Sequence, residues 1–272
     1  MEKVSTTRRL VESAMLLAIA TVLSLVKLVD LPYGGSITLS SMLPILLVAY
    51  RYGTAWGLLT GLVHGLIQLA LGANTLSYVT GAASIIAVVL LDYLLAFGVI
   101  GLGGLVRNHS SQPFSFVIGS LIAGGARYIL HVISGCTVWA GLSIPDSAAL
   151  KYSIIYNATY MLPETLILMV VSYYLATTLD FGKKDLKPIQ KQDVTPLQHT
   201  LSAIAGLLLT AALVFDIASV FKVLQHPETG EFDITAISTA PWTMILIITV
   251  LAVVAAALLL IFKKKVVKNS KN

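Results

Sequence analysis

Polar and aromatic residues recur at helical spacing in the fifth apolar stretch of the sequence. Tyr128, His131 and Gly135 are followed by Trp139, at intervals of three, four and four residues. Because successive residues of an α-helix are rotated by about 100°, these positions fall along one stripe. A phenol, an imidazole and an indole on one stripe could line a pocket for a flat ring.

Two neighbouring stretches carry further polar side chains. Asn157, Tyr160 and Glu164 repeat the pattern at i, i+3 and i+7, and Asp92 with Tyr93 interrupts the fourth stretch. Polar residues inside membrane helices are energetically expensive, so each one invites a functional explanation. We expect Glu164, which follows a proline, to bond between helices rather than to contact a ligand.

Together these side chains suit a small, flat, cationic aromatic ligand. Aromatic faces attract a cation, and Trp does so most strongly. A buried carboxylate would supply the counter-charge, and Asn157 offers a donor and an acceptor to the edge of a heterocycle. The alternative is that the Tyr and Trp side chains form interfacial belts, while His131 and Asn157 only bond neighbouring helices. Spacing alone leaves both interpretations open.

Composition places these stretches in a membrane. Of the 272 residues, 57% are hydrophobic and 11% are charged, whereas a soluble domain carries roughly a quarter charged residues. A bilayer core needs about 20 apolar residues per helix. Apolar runs are predicted at 10–29, 40–50, 54–71, 78–106, 114–135, 152–177, 198–221 and 242–262. The sequence therefore predicts an all-α integral membrane protein, a six-helix bundle plus a C-terminal two-helix transmembrane hairpin, with a loop within 72–85.

Basic residues are distributed unevenly between the two sides of the predicted membrane. Of the 18 Lys and Arg residues, 14 fall on the side that holds the N-terminus. Such asymmetry is the positive-inside pattern. We therefore expect a multi-pass protein of the plasma membrane with both termini cytoplasmic. The net charge of +5 then reflects topology, and we expect no nucleic-acid partner.

A polar segment divides the chain. We expect a six-helix membrane domain over 1–182, a cytoplasmic linker over 183–197, and an extra hairpin with a basic cytoplasmic tail over 198–272. Cys136 is the only cysteine, so an intrachain disulfide is excluded. We expect no cofactor, no metal and no catalytic residues.

Several groups of residues together carry a resemblance to a known family. They are Arg127, Tyr128, His131, Gly135 and Trp139; Tyr152, Asn157, Tyr160, Pro163 and Glu164; Leu91, Asp92 and Tyr93 with Ala96 and Phe97; and Gly34, Gly35 and Ser36 with Pro44, Arg51, Tyr52 and Gly53. Over about residues 1–180, this combination resembles the thiamine-specific S component, the substrate-binding subunit, of energy-coupling factor (ECF) vitamin transporters.

The resemblance implies a six-helix bundle that binds thiamine near its outer face without catalysis. The implied thiamine contacts are Asp92, Tyr93, His131, Trp139, Tyr152 and Asn157. Tyr33 is a stand-in for a tryptophan that some members carry in the first outer loop. Asp92 departs from the glutamate that the family often has, and its side chain is one methylene shorter.

The resemblance also implies partners, namely a membrane-embedded coupling subunit and two ATP-hydrolysing subunits. Ala14 and Ala18 lie four residues apart in the first helix, and small residues at this spacing let another helix approach closely in lipid. Packing within the bundle is the alternative, but S components dock on the coupling subunit through such a surface. For Gly57, Gly61 and Gly65, in the third stretch, we favour internal packing.

Two other classes of function stay open. A stand-alone ion-coupled secondary transporter of a small cationic heterocycle could use Asp92 and Asp216, although no inverted repeat supports alternating access. An intramembrane enzyme using His131 and Asp92 lacks a metal-spaced or nucleophile motif. No G-x-x-x-x-G-K-[ST] motif occurs, so energy must come from ATPase partners or an ion gradient. We expect Asp216, near the outer end of its helix, to snorkel.

Overall fold

The computed structural model describes residues 4–31, 34–141, 146–189, 196–224 and 233–269. The chain divides into two compact units, Met1–Ile189 and Gln190–Asn272. Both units are helical, and six helices within the described ranges are long and apolar enough to cross a membrane. The all-α membrane fold predicted from the sequence is confirmed.

Six helices build the described part of the first unit. They are α1 (Thr6–Leu25), α2 (Leu43–Tyr52), α3 (Thr54–Leu71), α4 (Ala82–Val106), α5 (Gln112–Gly141) and α6 (Asp146–Thr178). By length and composition α3 to α6 can span a membrane, whereas α2 has only 10 residues. The pair formed by α5 and α6 is the most extensive helix contact of the unit. These two helices therefore form the scaffold on which α4 and the hairpin described next are packed.

A β-hairpin replaces the C-terminal end of the first predicted helix. After α1 the chain forms β1 (Lys27–Asp30), which pairs antiparallel with β2 (Ser36–Thr38). The prediction that the first helix extends to residue 29 is wrong, since α1 ends at Leu25. The β-branched Val26 and Val29 favour extended chain. Gly34 turns the hairpin with a φ of 99°, a conformation that glycine adopts readily.

The helix α4 is irregular along its length. A 3₁₀ turn at Ala73–Tyr78 and Gly81, with a φ of 84°, precede it, which confirms the loop predicted within 72–85. After a first α-helical turn, Val88–Leu95 forms a π-helix. Such turns are rare and occur frequently at functional sites. This one contains Asp92.

The glycines of α3 let it pack directly on the backbone of α4. A Cβ on Gly61 would overlap the carbonyl oxygen of Phe97, and one on Gly65 would overlap that of Tyr93. Gly57 meets α2 and α4 in the same way. The internal packing predicted for this stripe is confirmed.

Arg51 ties three elements together at the end of the bundle where α1 begins. Its side chain is 2% exposed and forms an ion pair with Glu12 of α1, with Nε 2.6 Å from Oε1. Its Nη1 donates a 2.8 Å hydrogen bond to the carbonyl oxygen of Phe181, just after α6. The Phe181 ring packs edge-on against Tyr50 and Phe116. This buried cluster holds α1, α2 and the segment after α6 in one core.

An exposed ion pair between Arg8 and Asp185 lies at the same end. Hydrogen bonding to the Arg8 guanidinium holds the pKa of the Asp185 carboxyl below its usual value. Because the folded pKa is the lower one, the stabilisation is present above the unfolded pKa and is lost as the pH falls through the folded pKa. Exposed pairs contribute little to stability, so the fold at this end depends mainly on Arg51.

The second unit is a hairpin of α7 (Pro196–Leu224) and α8 (Trp242–Asn269). Thr249 of α8 donates a 2.6 Å hydrogen bond to Oδ2 of Asp216 in α7. The snorkelling predicted for Asp216 is wrong. It lies eight residues from the end of α7, about 12 Å at 1.5 Å per residue, and its carboxylate bonds the neighbouring helix instead of reaching water.

We expect Gly61→Ala to lower the free energy of unfolding by about 1–3 kcal/mol, because the added methyl group forces α3 and α4 apart. Gly125→Ala is the matched control, since a Cβ there meets nothing within 4 Å. It should leave stability unchanged or raise it slightly. Denaturation of the purified proteins in detergent measures the stability of each variant. A Gly61→Ala variant as stable as Gly125→Ala would contradict the packing described above.

Candidate functional site

The first unit encloses a cavity of about 470 Å³. Its walls come from the end of α1, the β-hairpin, the end of α3, and the helices α4, α5 and α6. The volume falls within the roughly 300–1,000 Å³ of small-molecule sites. Polar side chains converge on the cavity from three helices, as they do in a site that fixes the orientation of its ligand.

Asp92 of α4 and His131 of α5 are bonded to each other in the cavity wall. Oδ1 of Asp92 lies 2.7 Å from Nδ1 of His131, and Ser134 donates a 2.8 Å hydrogen bond to Oδ2. The other ring nitrogen of His131, Nε2, is buried and has no hydrogen-bond partner among the described residues. An unused hydrogen-bonding group therefore belongs to a residue that lines the cavity.

Asn157 of α6 is fully engaged within the bundle. Its Nδ2 lies 3.2 Å from the carbonyl oxygen of His131 and 2.8 Å from that of Ser153. Its Oδ1 accepts a 2.6 Å hydrogen bond from Oη of Tyr160. A ligand that contacts this amide has to exchange one of these bonds, so Asn157 also serves to join α5 and α6.

A buried ion pair closes the end of the cavity nearest the middle of the helices. Nη1 of Arg127 lies 3.5 Å from Oε2 of Glu164, and the guanidinium stacks on Phe97 with Cζ 4.4 Å from the ring centroid. Oε1 of Glu164 accepts a 2.6 Å hydrogen bond from Thr38 in β2. Glu164 makes the inter-element bonds predicted for it, and through them it joins α5, α6 and the hairpin.

The β-hairpin forms the opposite end of the cavity. Lys27 and Asp30 are paired there at 3.0 Å, with their side chains 44% and 60% exposed. The backbone N–H of Gly35 donates a 3.2 Å hydrogen bond to Oη of Tyr156. A Cβ on Gly35 would lie 2.9 Å from that oxygen and from the ring of Tyr160. Glycine at this position therefore lets the hairpin close on α6.

The charged side chains around the cavity leave one negative charge unbalanced. Lys27 with Asp30, and Arg127 with Glu164, cancel in pairs. Asp92 is the remaining carboxylate among the described lining residues, and it bonds His131 and Ser134 rather than a Lys or Arg. If histidine is counted as neutral, as in the formal charge of the chain, the described lining residues carry one net negative charge. The Asp92 side chain is only 24% exposed, and a partly desolvated carboxylate without a counter-charge is unfavourable, so this arrangement suits a ligand with one positive charge.

The structure brings together most of the site residues implied by the resemblance. Those that line the cavity are Asp92, Tyr93, His131 and Asn157. Tyr152 is half-buried, and the described lining does not include it. Tyr33 as a whole and the side chain of Trp139 lie outside the described residues. The roles of all these residues towards a ligand stay predictions.

Tyr128 does not take the place on the cavity stripe that its spacing predicted. Its Oη donates a 3.0 Å hydrogen bond to the carbonyl oxygen of Ile154. Arg127 lines the cavity instead. Arg127 precedes His131 by four residues, a rotation of about 400°, so the two side chains point about 40° apart around the helix axis. Tyr128 precedes His131 by three residues, which leaves about 60° between them.

Sequence reasoning missed Gln68 and Tyr156, which both line the cavity. Gln68 of α3 donates a 2.8 Å hydrogen bond to Oγ of Ser24. Gln68 is an amide inside an apolar stretch, the same signal that identified Asn157. Using that signal for every apolar stretch would have identified Gln68 as well. Tyr156 falls outside the i, i+3, i+7 pattern of its helix, so spacing did not mark it.

The fold and the cavity define an all-α membrane protein whose helices line a polar and aromatic cavity of the size of a small-molecule site. The family model described as "Thiamine transporter protein (Thia_YuaJ)" matches residues 10–181. The chain belongs to this family, and the resemblance inferred from its residues is confirmed. The match ends before α7, so the second unit lies outside it.

Two similar proteins agree with this membership. The chain is 33% identical over 182 residues to the thiamine transporter ThiT of Bacillus subtilis, which covers 62% of this chain and 91% of that protein. A solved structure of ThiT from Listeria monocytogenes has 26% sequence identity and a TM-score of 0.51, and the match covers 62% of this chain and 93% of that one. The chain is a multi-span membrane transport protein and not an enzyme.

We expect Glu164→Gln to lower the free energy of unfolding by about 3–5 kcal/mol, because it leaves the buried Arg127 without its counter-charge. In the double variant Arg127→Met with Glu164→Gln no lone charge remains, so most of that loss should be recovered. Denaturation in detergent measures the free energy of unfolding of the wild type, the single variant and the double variant. A single variant as stable as the wild type would show that the ion pair does not hold these elements together.

Proposed function

We propose that the chain is the high-affinity thiamine-binding membrane subunit of an ATP-driven ECF-type vitamin importer. The observation that carries this proposal is the single unbalanced negative charge of the cavity, on Asp92. Thiamine is a singly charged cation with two flat aromatic rings joined by a methylene group, and it would neutralise that charge on binding. The name of the similar Bacillus subtilis protein, a thiamine transporter, supports the same ligand.

Aromatic and polar groups would hold the two rings of the cation around Asp92. The unpartnered Nε2 of His131 would bond a polar edge of the ligand, since it is buried and His131 lines the cavity. Aromatic faces would contribute cation–π attraction, which strengthens when the site is shielded from water. The proposed thiamine contacts are Asp92, Tyr93, His131, Trp139, Tyr152, Asn157 and Tyr33.

The absence of a phosphate-binding loop from the sequence supports partners that supply ATP hydrolysis. We propose a membrane-embedded coupling subunit and two ATP-hydrolysing subunits. Ala14 and Ala18 are exposed on α1 beside the exposed Met15 and Ile19. Small residues flanked by larger apolar ones suit close packing of a second helix in lipid. Uptake that requires ATP and these partners would separate this proposal from a stand-alone ion-coupled transporter.

Topology and domain roles follow from the same proposal. Both termini would lie in the cytoplasm, with the basic residues concentrated on that side. Residues 1–182 would form the thiamine-binding domain and 183–197 a cytoplasmic linker. Residues 198–272 would add a transmembrane hairpin with a basic tail at the plasma membrane.

Calorimetric titration of the purified chain in detergent tests the proposed ligand. We expect thiamine to bind without ATP or any partner. Asp92→Asn should weaken binding by more than about tenfold, equivalent to about 1.4 kcal/mol, because it removes the counter-charge. Asp216→Asn is the matched control and should bind as the wild type does, since its carboxylate bonds Thr249 in the second unit. Absence of thiamine binding in the wild type would refute the assignment.

Bulky substitutions on α1 test the proposed docking surface. Ala14→Leu and Ala18→Leu should leave thiamine affinity in detergent unchanged, because both side chains are exposed and outside the cavity. Co-purification with the coupling subunit and ATP-driven uptake should both fall, because the added bulk separates the two helices. Lost affinity would assign these residues to the bundle itself. Unchanged uptake would place the docking surface elsewhere.

A further inference from the structure

Ser134 is a buried hydroxyl that the proposed thiamine contacts leave unexplained. It is fully buried in α5, and the described lining of the cavity does not include it. Its Oγ donates a 2.8 Å hydrogen bond to Oδ2 of Asp92, while Oδ1 of the same carboxylate lies 2.7 Å from Nδ1 of His131. Residues three apart are neighbours on a helix surface. One turn of α5 therefore binds both oxygens of Asp92.

The backbone around His131 is held from the opposite side by α6. Asn157 donates to the carbonyl oxygen of His131 at 3.2 Å, and Ser153 donates to that of Val132 at 2.7 Å. These bonds fix the chain but not the imidazole ring. The direction in which the ring presents its nitrogens depends on the carboxylate of Asp92.

The available donors and acceptors determine which ring nitrogen carries the proton. An ionised carboxylate offers only acceptors, so both of its neighbours have to donate. Ser134 donates through its hydroxyl, and His131 donates through Nδ1–H. In a neutral imidazole the other nitrogen is then an acceptor. That nitrogen, Nε2, is the one that is buried without a partner in the part of the chain that the structure covers.

We propose that Ser134 is a positioning residue of the site. By holding Oδ2 of Asp92 it keeps Oδ1 on Nδ1 of His131, and it thereby leaves Nε2 as the acceptor nitrogen of a residue that lines the cavity. The substrate group that meets Nε2 is consequently a hydrogen-bond donor. This step rests on the function proposed above, in which the ligand is thiamine. The hydrogen-bond donors of thiamine are its exocyclic amino group and its hydroxyl group.

The protonation of His131 can be measured without any ligand. Nuclear magnetic resonance of the full chain in detergent, with nitrogen-15-labelled histidine, reports the protonated and unprotonated ring nitrogens. The signals of His131 are assigned by their loss in His131→Gln. We expect a protonated Nδ1 and an unprotonated Nε2 in the wild type. A ring protonated at Nε2, or at both nitrogens, would overturn the proposal.

Ser134→Ala tests the role of the hydroxyl. It should mix the two tautomers and weaken thiamine binding by about tenfold, because a hydrogen bond to a charged group is stronger than one between neutral groups. Ser134→Thr keeps a hydroxyl and should restore both properties. Ser120→Ala, the matched control, removes a buried hydroxyl of α5 that bonds Ser172, and should change neither.

The two readouts decide between positioning and a merely structural role. Weaker binding with an unchanged tautomer would make Ser134 structural and overturn the proposal. A changed tautomer with unchanged affinity would overturn it as well. If the wild type does not bind thiamine while the tautomer responds as expected, the proposed function fails and the role of Ser134 stands.

Discussion

A carboxylate in the interior of a membrane protein has to be compensated, because the loss of hydration raises the free energy of the charge by several kcal/mol. The site depends on how this protein compensates Asp92. Two hydrogen-bond donors, His131 and Ser134, hold its oxygens. Neither donor is a lysine or arginine, and the other charges around the cavity cancel in pairs. In the proposed function the ligand supplies the missing positive charge, so the site should favour a monocation.

The remaining elements hold the Asp92 carboxylate in place between the helices. Asp92 belongs to the π-helix Val88–Leu95 and bonds α5 from there, and glycines of α3 let the backbones of α3 and α4 meet directly. Glu164 joins the β-hairpin to the helices through Thr38 and Arg127. The hairpin and the helices therefore hold the carboxylate in the wall of the cavity with its side chain 24% exposed, where its attraction for a cation is stronger than in bulk water.

Much of the site could be predicted because polar residues are rare in membrane helices and stand out from an apolar background. That contrast identified Asp92, His131 and Asn157, which line one cavity. The strands of the hairpin at 27–38 were not predicted, because the apolar run of the first helix continues to residue 29 and hid the preference of Val26 and Val29 for extended chain. The π-helix follows from packing of α4 against its neighbours, which no local pattern records. Ser134 is inconspicuous in sequence, because a serine inside a helix acquires its role only from the carboxylate that faces it.

The central claim is that the site recognises charge through Asp92. It is tested most directly by comparing thiamine with a neutral analogue of the same shape, in which a thiophene replaces the thiazolium ring. Calorimetry should show the wild type binding the cation much more tightly than the neutral analogue. In Asp92→Asn that preference should largely disappear, because the uncompensated charge is gone. Equal affinities for the two compounds in the wild type, or an undiminished preference in Asp92→Asn, would contradict the account.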